Sequence, residues 1–133
     1  GAVRSAAAND VNVALQNWYI ELGSSQQTSS LVYRGLMSEQ ALPEEQEFQF
    51  LMMLHGFFLG AQNSYLLAAE GTIDTELVDS LTVVIIGIND LPGMKRYWRQ
   101  RKSYLHSGFA EWVDRVSAQG GEETMDLYKR PDD

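Results

Sequence analysis

The stretch 43–71, PEEQEFQFLMMLHGFFLGAQNSYLLAAEG, decides the fold. Pro43 suits a first helical position, where its missing N–H costs nothing. Glu44, Glu45 and Glu47 follow in the first turn, where carboxylates favour the positive end of the helix dipole. Gly71 supplies the left-handed residue that ends a helix. At about 100° per residue, Phe50, Leu54, Phe57, Phe58, Ala61, Tyr65 and Ala68 fall on one arc, and Phe48, Leu51, Leu59 and Leu66 widen it. The narrow remaining sector holds Gln49, Gly56, Gly60 and Asn63. A helix apolar around most of its circumference belongs in the middle of a bundle. The reading is an all-α, single-domain irregular bundle of five to six helices around a long central helix at about 43–70. Gly56 and Gly60 either admit a close backbone neighbour or face water.

The same stretch does not read as a membrane span, which needs about 20 mostly apolar residues. Gln49, His55, Gln62, Asn63 and Ser64 interrupt it, and the apolar run 81–88 is too short. At 133 residues the chain is long enough to bury a core as one domain. Three Trp, six Tyr and five Phe exclude wholesale disorder. The absence of cysteine removes disulfides and thiolate sites and weakly favours a reducing compartment. A net charge of −8 argues against general nucleic-acid binding, which phosphate neutralisation drives. The chain begins with Gly rather than Met, so native residues are expected upstream.

Outward from the centre, residues 2–22 read as a first helix with Val11, Leu15, Trp18 and Leu22 on one face. Gly23 and Ser24 break it, and Ser24 with Gln27 fits a capping box. A second helix carries Thr28, Leu31, Val32, Gly35 and Leu36 on its buried face. Asp74 is read as the N-cap of a fourth, with Ile73 and Val78 as a hydrophobic staple. The run TVVII at 82–86 has strand-like composition, but Leu77, Leu81, Val84, Ile85 and Ile88 make a helical stripe and no second strand is available to pair with. After a turn at 89–93, a fifth helix is expected over about 92–105. Ser107 is read as capping a sixth, which buries Phe109, Trp112, Val113 and Val116 and ends at Gly120-Gly121. The helical domain is thus expected over 1–121. A polar tail follows at 122–133, in which Met125, Leu127 and Tyr128 could dock.

The order of AVRSAA at 2–7, Trp18, RGL at 34–36, PEEQEFQF at 43–50, Tyr65, EGTIDTEL at 70–77, LPGMKRYW at 91–98 and GFAEWVD at 108–114 resembles a widespread bacterial family of uncharacterised small membrane-anchored proteins. The similarity covers about residues 2–118. In that family an N-terminal transmembrane helix and a basic, Asn- and Gln-containing segment precede a helical domain like this one. The resemblance implies an inner-membrane anchor with a soluble helical domain in the cytoplasm, since positive charge following the anchor stays on that side. It implies no catalytic residue.

The residues themselves offer no catalytic, cofactor or metal constellation. His55 and His106 have no carboxylate or second His at helical ligand spacing. Glu44, Glu45 and Glu47 are better explained by the helix dipole than as an acid–base cluster. No nucleophile elbow, Walker loop or phosphate-cradling glycine spacing is present. His55 and Gln62, two turns apart in an apolar sector, are either buried polar groups with internal partners or the wall of a ligand pocket.

Charge is uneven. Lys95, Arg96, Arg99 and Lys102 share an arc of about 120° on the fifth helix, opposite Met94, Tyr97, Trp98, Tyr104 and Leu105. This is either a solvated face balanced by acidic neighbours or an anion-facing surface, for anionic lipid headgroups or alternatively for a soluble phosphorylated ligand or an acidic partner protein. Arg101 lies on the apolar side, where it is expected to pair with Glu47, or failing that with Glu21, in a partly buried structural ion pair. The leading functional expectation is a membrane-tethered interaction or scaffolding module without catalysis. Its partner would be a protein or an anionic lipid surface, not nucleic acid, and Gly56 and Gly60 would allow a homodimer. The alternative is a small-ligand sensor with its pocket near His55 and Gln62.

Overall fold

The computed structural model describes residues 2–119. They form six α-helices and no strand: α1 Ala2–Ser24, α2 Gln26–Met37, α3 Glu44–Ala69, α4 Glu76–Ile88, α5 Pro92–Arg101 and α6 Ser107–Gln119. A 3₁₀ turn, Lys102–Tyr104, closes α5 earlier than its apolar pattern suggests. The expected tail at 122–133, with Met125, Leu127 and Tyr128, lies outside the described residues.

Local chemistry sets the ends of α3. Pro43 precedes it in extended conformation and its carbonyl accepts from the Glu47 N–H at 2.9 Å. At the other end Gly71 takes a φ of 78°. The Thr72 and Gly71 N–H groups then donate to the carbonyls of Leu67 and Ala68, the paired bonds of a Schellman cap. Elsewhere the caps shift by one residue from expectation. Ser25, not Ser24, accepts from the Thr28 N–H at the start of α2. His106, not Ser107, caps α6, its Nδ1 accepting from the N–H groups of Gly108 and Phe109.

Between these ends α3 is the axis of the bundle and touches each of the other five helices. Phe50, Leu54, Phe57, Phe58 and Ala61 are buried in the core. Trp18 of α1 packs on Phe57 with ring centroids 5.1 Å apart. Tyr97 of α5 stacks on Phe58 at 5.0 Å. Tyr65 sits against Phe109 and Trp112 of α6. The apolar arc is narrower than the sequence suggests, however. Phe48 and Leu59, assigned above to its widened edge, are 65% and 45% exposed.

The backbones of α2 and α5 approach closely. A Cβ built on Gly93 would lie 2.1 Å from the Gly35 carbonyl oxygen, and one built on Gly35 would lie 2.3 Å from the Phe50 ring. Glycine at both positions is therefore a packing requirement. Gly56 and Gly60 are the opposite case, with nothing within 4 Å of a built Cβ.

Two opposite outcomes are expected in urea denaturation. Gly93→Ala should destabilise the domain by about 2–3 kcal/mol or more, because backbone cannot yield as a flexible side chain can. Gly56→Ala and Gly60→Ala should each stabilise it by about 0.5–1 kcal/mol through helix propensity.

Candidate interaction surface

Folding takes Arg96 out of the expected basic face, while Lys95, Arg99 and Lys102 stay exposed. α5 packs on α3 along one side and on α2 along another, and Arg96 falls between them. Its Nε donates to Glu47 Oε2 at 2.8 Å and its Nη2 to Glu47 Oε1 at 3.2 Å. The remaining guanidinium bonds go to the carbonyls of Gly35 and Ser38 at the end of α2. Glu47 Oε1 also accepts from the Leu42 N–H. The two side chains are only 11% and 13% exposed, so every charge-bearing atom is matched inside the fold. Lys102, at the other end of the arc, pairs with Asp114, whose second oxygen accepts from Trp98 Nε1 at 2.8 Å. Lys95 and Arg99 are left exposed.

The expected Glu47–Arg101 pair is therefore corrected to Glu47–Arg96. Five residues along α5 is a rise of about 7.5 Å and a rotation of about 140°. That displacement carries Arg101 away from the first turn of α3 to its middle. There its guanidinium lies over the Tyr104 ring, 3.9 Å from the centroid. Among the described residues it pairs with neither Glu47 nor Glu21.

His55 and Gln62 each have structural partners. His55 Nδ1 and the Tyr97 hydroxyl are 2.8 Å apart in the interior. Burial, with the nearby Arg101 charge adding to it, holds His55 below its ordinary pKa, and burial raises that of Tyr97. Both groups are thus kept neutral, as an uncompensated buried pair must be. Gln62 Oε1 accepts from the His106 N–H at 2.7 Å and fixes the start of α6. Neither residue lines the concave features described below.

Two of the concave features along α3 lie beside residues singled out in its sequence. Gly56 and Gly60 open onto a cleft of about 160 Å³ between α1, α3 and α4, walled by Leu15, Trp18, Phe57, Leu77 and Leu81. The second is a groove of about 870 Å³ beside the first turns of α3, lined by Leu42, Glu44, Glu45, Phe48, Leu51 and Met52, with Gln100 of α5 opposite. Phe48, Met52, His55 and Leu59 follow one another at spacings of four, three and four along a single face. Beside them Tyr104, 65% exposed, meets the His55 ring edge-on at 6.5 Å. The sequence carried a signal for this face, since 48, 52 and 59 share a wheel position, but apolar periodicity alone does not tell a core stripe from an open one.

Among the described residues no cluster of His, Asp or Glu could hold a metal ion, and no single helix is long and apolar enough to cross a membrane. Comparison with known protein families, curated proteins and solved structures finds no match.

Arg96→Ala should cost about 3–5 kcal/mol, because it leaves the Glu47 carboxylate buried without its partner. Arg101→Ala should cost under about 1 kcal/mol, as expected where no ion pair is broken. A double-mutant cycle of Arg96→Ala with Glu47→Gln checks the assignment, and coupling below about 0.3 kcal/mol would refute it. The depressed pKa of His55 also predicts a pH dependence. The unfolded chain takes up a proton near pH 6.5 that the native state refuses, so this contribution is full above about 6.5 and declines as pH falls below it. The melting temperature should fall between about pH 7 and pH 5.5, and His55→Gln should remove that component.

Proposed function

We propose that this domain is a membrane-tethered helical interaction module that docks a protein partner along the open face of α3. The observation that carries the reading is the exposed pair Phe48 and Leu59, with the half-buried Met52 between them and Tyr104 beside them, on the helix that otherwise forms the core. Single exposed apolar residues are ordinary, but aligned ones on a rigid helix offer anchors for a partner. Helix-in-groove docking uses this spacing. The membrane tether, with the domain on the cytoplasmic side of a bacterial inner membrane, rests on the resemblance to an anchored family. An anionic lipid surface is disfavoured as the partner. Among the described residues only Lys95 and Arg99 of the basic arc make no internal bond, and each is worth about 1 kcal/mol at such a surface. The net charge of −8 opposes even that. The small-ligand reading keeps one supporting observation, the cleft beside Gly56 and Gly60, rather than the His55 and Gln62 region.

A photoreactive amino acid placed at 48 or at 59 of the full-length membrane protein, in the native cell, should give the same defined protein adduct. One placed at exposed Val83 on α4 should not. Adducts that are equal at all three positions, or absent from 48 and 59, would overturn the docking face.

A further inference from the structure

The chemistry of the partner follows from the N-terminal end of this face. Resting on the docking role above, we propose that the groove between the start of α3 and α5 receives a basic amphipathic helix, its apolar side on Phe48 and Met52 and its cations on Glu44 and Glu45. The floor is apolar, formed by Leu42, Phe48, Leu51 and Met52. The rim is acidic, and its charge is available. Glu47 is held by Arg96, but the exposed Glu44 and Glu45 form no ion pair among the described residues. The opposite wall is the neutral Gln100. The exposed cations of α5, Arg99 and Lys95, project about 100° and 140° around the helix from Gln100, and Arg101, about 100° away, lies over the Tyr104 ring; among the described residues none of the three pairs with the rim.

The two carboxylates stand in the first turn of α3, the end of the helix dipole that favours negative charge. An acidic segment would meet like charge there, and that repulsion selects the sign of the partner as much as attraction does. Phe48 to Leu59 spans 11 residues, a rise of about 16 Å, which a partner helix of three to four turns covers. Cations one turn apart on such a helix can reach Glu44 and Glu45 while its apolar face lies on Phe48 and Met52.

The test uses the whole chain and a labelled synthetic peptide of about 14 residues, with leucine at helical i, i+3 and i+4 positions and lysine elsewhere. A scrambled peptide of equal charge and a peptide with glutamate for lysine serve as comparisons. Binding is read by fluorescence anisotropy, and its location by amide chemical shifts. The amphipathic lysine peptide should bind best, with shifts gathered at Leu42, Phe48, Met52 and Gln100. Glu44→Gln with Glu45→Gln should weaken binding about fivefold or more, and Phe48→Ser should do likewise. Glu76→Gln with Asp79→Asn on α4 removes the same charge and should change it by less than about twofold. Circular dichroism confirms that each variant is folded. The inference is overturned if the scrambled or the glutamate peptide binds as well, if the α4 variant weakens binding equally, or if shifts lie outside the groove. It is also overturned if the protein alone dimerises through this face, shown by a doubled mass in light scattering that Phe48→Ser abolishes. Adducts at 48 and 59 without peptide binding would leave the docking face standing and remove only the basic partner. Peptide binding without those adducts would support the groove and remove the cellular docking reading.

Discussion

Gly93 sets how closely α5 can cross α2, as Gly35 does for α2 on Phe50 of α3, and much of the structure depends on these approaches. With no side chain at Gly93, α5 rests on the backbone of Gly35. The approach brings the Gly35 and Ser38 carbonyls within reach of the Arg96 guanidinium, which also grips Glu47. One side chain thus ends α2, orients α5 and anchors the first turn of α3. A cation so enclosed is tolerable because carbonyl and carboxylate oxygens surround it, and desolvation would otherwise dominate. Three of the stretches quoted from the sequence, RGL, PEEQEFQF and LPGMKRYW, meet at this point.

The helices were legible because their signals are local. Proline and glycine punctuation placed the bounds of α3 to within one residue, and the stripe Leu77, Leu81, Ile85, Ile88 overrode a strand-like composition. Periodicity failed where a helix has more than one neighbour. A wheel puts Arg96 on the solvent arc of α5 because it assumes a single buried side, whereas α5 has both α2 and α3 against it. The same limit hid the open face of α3. Nothing in its spacing says that Phe48 and Leu59 are uncovered, because that depends on where α4, α5 and α6 settle. The roles of His55 and Gln62 were half legible. Buried polar groups must find partners, but naming Tyr97 and the His106 N–H required the fold.

The polar groups of the interior and the groups offered to solvent are therefore sorted by partner. His55, Tyr97, Gln62, Arg96 and Glu47 satisfy one another or the backbone. The charged side chains left outward on α3 are acidic, beside the exposed Phe48 and Leu59 and the neutral Gln46, Gln49 and Asn63. That sorting makes the interior rigid and neutral and leaves recognition to shape, apolar contact and negative charge.

The Arg96 clamp also bears on the order in which the chain folds. Its bonds close loops of 49 and 61 residues, whereas the contacts of each helix and cap are local. Loop closure must precede any gain from such distant partners. The clamp is then expected to close late, after α3 with its Schellman cap has formed and α5 has approached α2. An interaction absent from the transition state acts on the rate of escape from the native state. The guanidinium at the glycine crossing is accordingly a latch, which governs how long the folded domain persists more than how fast it is reached.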